Sequence, residues 1–159
     1  MVNLLIFTFQ FLASIAAFLL ISLTFFNGIE NKGQIIRIIL AIHLFRYVPL
    51  ALFLPGQADP MLSGSLKMMI VTGDLFAAIM AFIALLRLNS KHSAALLWAF
   101  SIVSALDLLT VFIIAMINGV YSMSLNANYF VVVFYVPLLL VSQALLFKIL
   151  FQTQFKKNI

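Results

Sequence analysis

Arg46, Asp74 and Asp107 stand inside stretches of chain that are otherwise hydrocarbon-like, and His43 precedes Arg46 by one helical turn. These residue types support two kinds of chemistry at low dielectric. A guanidinium keeps its charge and can hold a carboxylate or carbonyl through parallel hydrogen bonds. An imidazole set against a carboxylate is an adjustable proton carrier near neutral pH. One ionisable group at mid-membrane costs about 2.5–3.5 kcal/mol on insertion scales. Three unpaired ones would cost on the order of 8–10 kcal/mol, so the chain is expected to pair them, and pairing them builds a site.

His43 and Arg46 are i and i+3, which puts them on one face of a helix. The expected pairing is Arg46 with Asp74 and His43 with Asp107. With both aspartates ionised and His43 neutral, one guanidinium against two carboxylates leaves the cluster at −1. One added proton would bring it to the neutrality that a low-dielectric site prefers. Arg46 would then anchor an anionic or carbonyl group, Asp74 would hold Arg46, and His43 with Asp107 would supply an exchangeable proton. Further candidates for the same layer are Tyr47 beside His43, Ser101 and Ser104 at three-residue steps before Asp107, Thr110 after it, Tyr135, the deeper Gln143, and Gln10. Trp98 is expected in an interfacial aromatic belt.

The elements that must position these groups follow from composition. The chain has 159 residues, 65% hydrophobic and 8% charged, too few polar residues to cover a soluble surface. Its mean hydropathy is +1.23. A hydrocarbon layer of about 30 Å needs runs of about 20 apolar residues. Five such runs can be drawn, at 3–26, 34–54, 66–87, 94–118 and 129–152. The expected fold is an all-α integral membrane protein, a bundle of five transmembrane helices in a single transmembrane domain over residues 1–159. Met1 to Leu12 contains no Lys or Arg, so the basic start of a signal peptide is missing and the first run is expected to stay as a helix.

Polar and proline-containing breaks separate the runs: Asn27-Gly28 with Asn31-Lys32-Gly33, Pro55 to Pro60, Asn89 to Ser93, and Asn118-Gly119 through Asn128. Short connections make sequential helices neighbours in an up-down arrangement. Pro49 and Pro137 fall inside helices and are expected to kink them. Ala77, Ala78, Ala81 and Ala84 would let a neighbouring helix approach the third one closely.

The charge of +5 is distributed as in a membrane protein, not as in a nucleic-acid-binding surface. Lys32, Arg37, Arg87, Lys91, Lys148, Lys156 and Lys157 fall on one side of the bundle, and Lys67, offset by Asp59, on the other. Cytoplasmic loops collect Lys and Arg, so the N-terminus is expected outside and the C-terminus in the cytoplasm. That orientation lets depth be counted. At 1.5 Å per residue, Arg46 and Asp74 lie about 12 Å below the outer ends of their helices. His43 and Asp107 lie roughly 16 Å below theirs, so groups from three helices fall in one layer.

Several chemistries are set aside. Cysteine is absent, which removes disulfides, thiolate metal sites and a cysteine nucleophile. His43, Asp74 and Asp107 could supply the three ligands of a metal centre, but Arg46 nearby opposes a cation, and neither a phosphate-binding glycine loop nor a GxSxG elbow occurs. No cofactor is expected.

The segments Ile42-His43-Leu44-Phe45-Arg46-Tyr47, Gly73-Asp74-Leu75, Asp107-Leu108-Leu109 and Tyr135-Val136-Pro137-Leu138-Leu139 resemble a group of small bacterial multi-pass membrane proteins without assigned function. Over about 110 residues the last four helices also resemble, by pattern, the EXPERA domain of emopamil-binding protein and sigma-2 receptor relatives. That resemblance implies a pocket for sterols or other amphipathic amines, lined by His43, Asp74 and Asp107, with Tyr135-Val136-Pro137 in the last helix. The pattern departs at Tyr47, where the sterol isomerases carry an acid.

The expected function is binding of a lipid-like or small amphipathic molecule in an intramembrane polar pocket in the outer half of a bacterial inner membrane. The alternatives are a small accessory subunit of a larger membrane complex and an intramembrane enzyme of the isomerase type. Expected partners are membrane lipids, a small amphipathic ligand, and either a second copy or a membrane-complex partner, with no nucleic acid. A proton-coupled carrier is disfavoured, because the five helices show no inverted repeat.

Overall fold

A computed structural model describes residues 2–26 and 31–157. The turn expected at Asn27-Gly28 lies outside the described residues. The first helix, α1, spans Val2–Phe26. The second, α2, runs over Lys32–Leu44 and continues as a 3-10 segment over Phe45–Phe53. Helices α3 and α4 span Gly64–Leu86 and Ser93–Ile117. The last, α5, begins at Asn128–Phe130, passes through a π turn at Val131–Tyr135 and continues over Val136–Lys157. All five are long and apolar enough to cross a membrane, consistent with a multi-pass membrane protein.

The helix starts lie within two residues of those read from the apolar runs. The small differences come from caps. Asn31 accepts from the backbone N–H groups of Gly33 and Gln34 at 3.0 and 3.3 Å, which draws Lys32 and Gly33 into the first turn of α2. Ser63 caps α3 by accepting from the N–H of Leu66 at 3.2 Å. Helix α4 ends at Ile117 and is followed at Gly119, whose φ is +67°, by the left-handed conformation that commonly terminates a helix.

The two internal prolines change the helix type, a stronger outcome than a bend. Pro49 has no N–H to offer the carbonyl four residues back, and α2 tightens into the 3-10 form over the nine residues Phe45–Phe53 around it. Pro137 withholds the same bond in α5, and the preceding turn widens into the π form, ending at Tyr135. Arg46 and Tyr135 therefore both sit on irregular turns.

Helices α2, α3, α4 and α5 pack in a closed ring, each against the next, while α1 lies outside it against α5. At one end of the ring Ile39, Leu40, Ala81, Phe100 and Leu146 form a core with no exposed surface. Ala77, Ala78, Ala81 and Ala84 are all buried, as the stripe of small residues implied. At the opposite end Leu52, Leu62, Leu66, Val71, Val120 and Leu125 close a second apolar cluster beneath the α2–α3 and α4–α5 loops. A third cluster seats α1: Phe7 and Phe11 pack with Val133 and with Phe112 of α4.

Candidate functional site

Arg46 is the largest fully buried side chain among the described residues, 1% exposed. Its three nitrogens reach three groups on two helices. Nε donates to Asp74 Oδ1 at 2.7 Å, and Nη1 donates to Ser104 Oγ at 2.7 Å. Nη2 donates to Asp107 Oδ2. Helices α2, α3 and α4 are thereby joined at one depth, the layer that counting residues along the helices implied. The planar fork suits this role because its donors diverge in fixed directions, which a lysine ammonium on a flexible stem does not provide.

The expected pairing is corrected. Both aspartates are held by Arg46, and His43 does not reach Asp107. His43 Nε2 lies 3.2 Å from Ser142 Oγ on α5, and its ring stands edge-on to Phe100 at 5.1 Å. An i, i+3 pair shares a helix face only broadly, being about 60° apart around the axis. That offset turns His43 toward α5 while Arg46 enters the space between α3 and α4. His43 therefore lacks the carboxylate partner that a proton-exchanging pair needs.

Ser104 belongs to the Arg46 cluster. Tyr135 lies beside it, its hydroxyl donating to the carbonyl of Ile42 at 2.8 Å, where α2 changes to the 3-10 form. Gln143 sits deeper, donating to the Ser101 carbonyl at 3.1 Å. Tyr47 is corrected outright: it is 51% exposed, its ring tilted beside that of Phe45 on the outer surface. The 3-10 turn carries it away from Arg46 to the periphery. Thr110 is also exposed, Trp98 packs against Phe147 and Phe151, and Gln10 accepts from Tyr129 where α1 meets α5.

A cavity of about 90 Å³ opens next to the cluster. Arg46, Asp74 and Asp107 form its floor, Val111, Phe112 and Val132 are among its apolar walls, and Leu62, Val120 and Leu125 lie at the loop end. Tyr135 lines it; His43, Ser104, Gln143 and Tyr47 do not. The loops above are tied together. Asp59 accepts from the N–H of Met61 at 2.9 Å and of Ser124 at 3.0 Å, Asn126 Nδ2 donates to the Gly56 carbonyl at 2.6 Å, and Asn128 Nδ2 to the Gln57 carbonyl at 2.6 Å.

The floor presents its carboxylates. The Arg46 side chain has no exposed surface, against 12% for Asp74 and 15% for Asp107. Arg46 is thus occupied by protein groups, and the expectation that it anchors an incoming anion does not fit this geometry.

Gly73 is a site residue that motif reading quoted without giving it a task. A Cβ at this position would stand 2.9 Å from Asp107 Cγ and collide with Oδ1. The missing side chain is what lets the α4 carboxylate come in beside α3. The available signal was a glycine in a helix interior, which costs about 1 kcal/mol relative to Ala and so calls for a packing reason. Among the described residues no group of His, Asp and Glu is arranged to hold a metal ion.

A ring of four apolar helices closed around an arginine–aspartate cluster, with a fifth helix outside, defines a small all-helical protein of membrane-spanning type. Residues 4–151 match DUF8737, a domain of unknown function, and the chain belongs to that family. The EXPERA domain is not among the matches. Comparison with curated proteins and with solved structures returned no match.

Proposed function

We propose that this chain is a multi-pass protein of a bacterial inner membrane, N-terminus outside and C-terminus cytoplasmic, that binds a lipid-like or small amphipathic molecule in its cavity. The supporting observation is the cavity itself: a charged, hydrogen-bonding floor at one end of an otherwise apolar space. Concave sites with apolar walls and a few converging polar groups are where small molecules are held. Ionisable groups within membrane helices mark function by default. The excess of Lys and Arg at the other end of the bundle supports placing the cavity in the outer half of the bilayer.

Size narrows the occupant. At about 90 Å³ the cavity is smaller than the roughly 150 Å³ of an engineered apolar cavity that takes up benzene. A whole sterol does not fit. A compact head and its first few carbons do, with any longer tail leaving between helices toward lipid.

The test is native mass spectrometry of the protein purified in mild detergent, wild type beside Ala115→Phe. Ala115 lines the cavity and takes no part in the Arg46 cluster. A small amphipathic adduct on the wild type, lost in the filled variant, is the expected result. Equal adducts on both would refute a role for the cavity. A chain that stays folded only with a fixed protein partner would favour the accessory-subunit reading.

A further inference from the structure

The cavity's floor specifies the sign of the head it takes. We infer that the occupant is an organic cation, an ammonium donor carried on an apolar tail; this rests on the cavity-binding reading above. Two observations carry it. The first is charge: one guanidinium faces two carboxylates, so with both acids ionised the floor carries −1 before anything binds. A low-dielectric site is stabilised by neutrality, and the missing unit is one positive charge.

The second is which hydrogen-bonding atoms the protein leaves unused. Arg46 is turned wholly inward, with Nε, Nη1 and Nη2 each on a protein oxygen. Asp74 uses Oδ1 and Asp107 uses Oδ2 to accept from it, while Asp74 Oδ2 and Asp107 Oδ1 have no donor among the described residues. Both carboxylates line the cavity and have partly exposed side chains, while the Arg46 side chain has no exposed surface and Asp107 Oδ1 packs against Gly73. An entering molecule therefore meets acceptors, and a primary ammonium offers up to three donors with the compensating charge. Charge-assisted bonds of this kind are roughly twice as strong as neutral ones. An inorganic cation fits less well, since it needs several more oxygens and the remaining walls are mostly Val, Leu, Ile and Phe.

Three probes with one tail separate the possibilities: decylammonium, decanol and decanoate, titrated at pH 7 into the purified protein, with occupancy read by native mass spectrometry. The expected order is decylammonium ahead of decanol by about ten-fold or more in apparent Kd, equivalent to about 1.4 kcal/mol, with decanoate weakest. In Asp107→Asn the floor becomes neutral and the first two probes should converge to within about two-fold. Equal binding of all three by the wild type, or a preference for decanoate, would overturn the cationic assignment and leave the cavity reading standing. Failure of all three to bind would overturn both. The wild-type series decides without the variant, so poor folding of Asp107→Asn does not remove the test.

Discussion

Gly73 and Asp107 share one volume: the space a side chain at 73 would fill is taken by the Asp107 carboxylate, whose Cγ would lie 2.9 Å from the added Cβ. The glycine of one helix is in this sense the binding pocket for the acid of the next. Replacing a helix-interior glycine by alanine ordinarily stabilises a helix by about 0.5–1 kcal/mol. Here Gly73→Ala is expected to do the opposite. It should push Asp107 off Arg46 and lower stability by about 1–3 kcal/mol, the range for a buried polar group losing its partner. Thermal unfolding in detergent measures the sign, and a stabilised variant would show that Asp107 has room to move.

Among the described residues Arg46 is the single counter-charge for one buried acid, Asp74, and one partly buried acid, Asp107. Arg46→Met should therefore be destabilising by about 3–5 kcal/mol, as for other buried pairs broken from one side. Adding Asp74→Asn and Asp107→Asn should restore most of that loss, because neutral amides no longer need the guanidinium. Recovery in the triple variant, followed by unfolding midpoint, distinguishes charge compensation from simple loss of side-chain volume. Arg46→Lys should remain impaired, since one ammonium does not reproduce donors diverging to three oxygens.

His43 should behave as a packing residue. Its contacts are Ser142 and Phe100, and it does not line the cavity. His43→Ala removes a fully buried ring, and a loss of about 2–4 kcal/mol is expected from the void and the broken hydrogen bond. Retention of a co-purified small molecule should persist in the fraction that folds. Selective loss of that molecule, with unchanged stability, would return His43 to the binding site.

Asp59 makes the loop clasp acid-sensitive. The N–H groups of Ser124 and then Met61, with Lys67 adding its charge, hold its carboxyl below the ordinary value of 3.8. A carboxyl depressed on folding contributes stability above its unfolded pKa, and loses it as pH falls through the lower folded value. Protection of the Ser124 and Met61 amides, measured against their intrinsic exchange at each pH, should fall only below about pH 4. Asp59→Asn should remove that pH dependence.

The helices were largely legible because hydrocarbon thickness, proline and capping residues act along the chain, and a sequence is read along the chain. The layer joining Arg46, Asp74, Ser104 and Asp107 was legible for the same reason: depth is a count of residues times a fixed rise. Rotation about each helix axis was not. In a soluble helix the polar face announces the solvent side, but lipid is as apolar as the core, so Phe45 and Tyr47 facing outward look no different from Ile39 and Leu40 facing inward. The partner of His43 and the position of Tyr47 both depended on that missing angle. The 3-10 segment after Leu44 changed it further, from about 100° to about 120° per residue.

The apolar core around Ile39, Leu40, Ala81, Phe100 and Leu146 has a physiological consequence. Every helix of the ring contributes to it, and these five side chains have no exposed surface, so the layer they form is dry. A dry segment is an electrical insulator: it carries neither ions nor a chain of water. In a chain that spans a membrane, such a layer closes the bundle to ions at that depth.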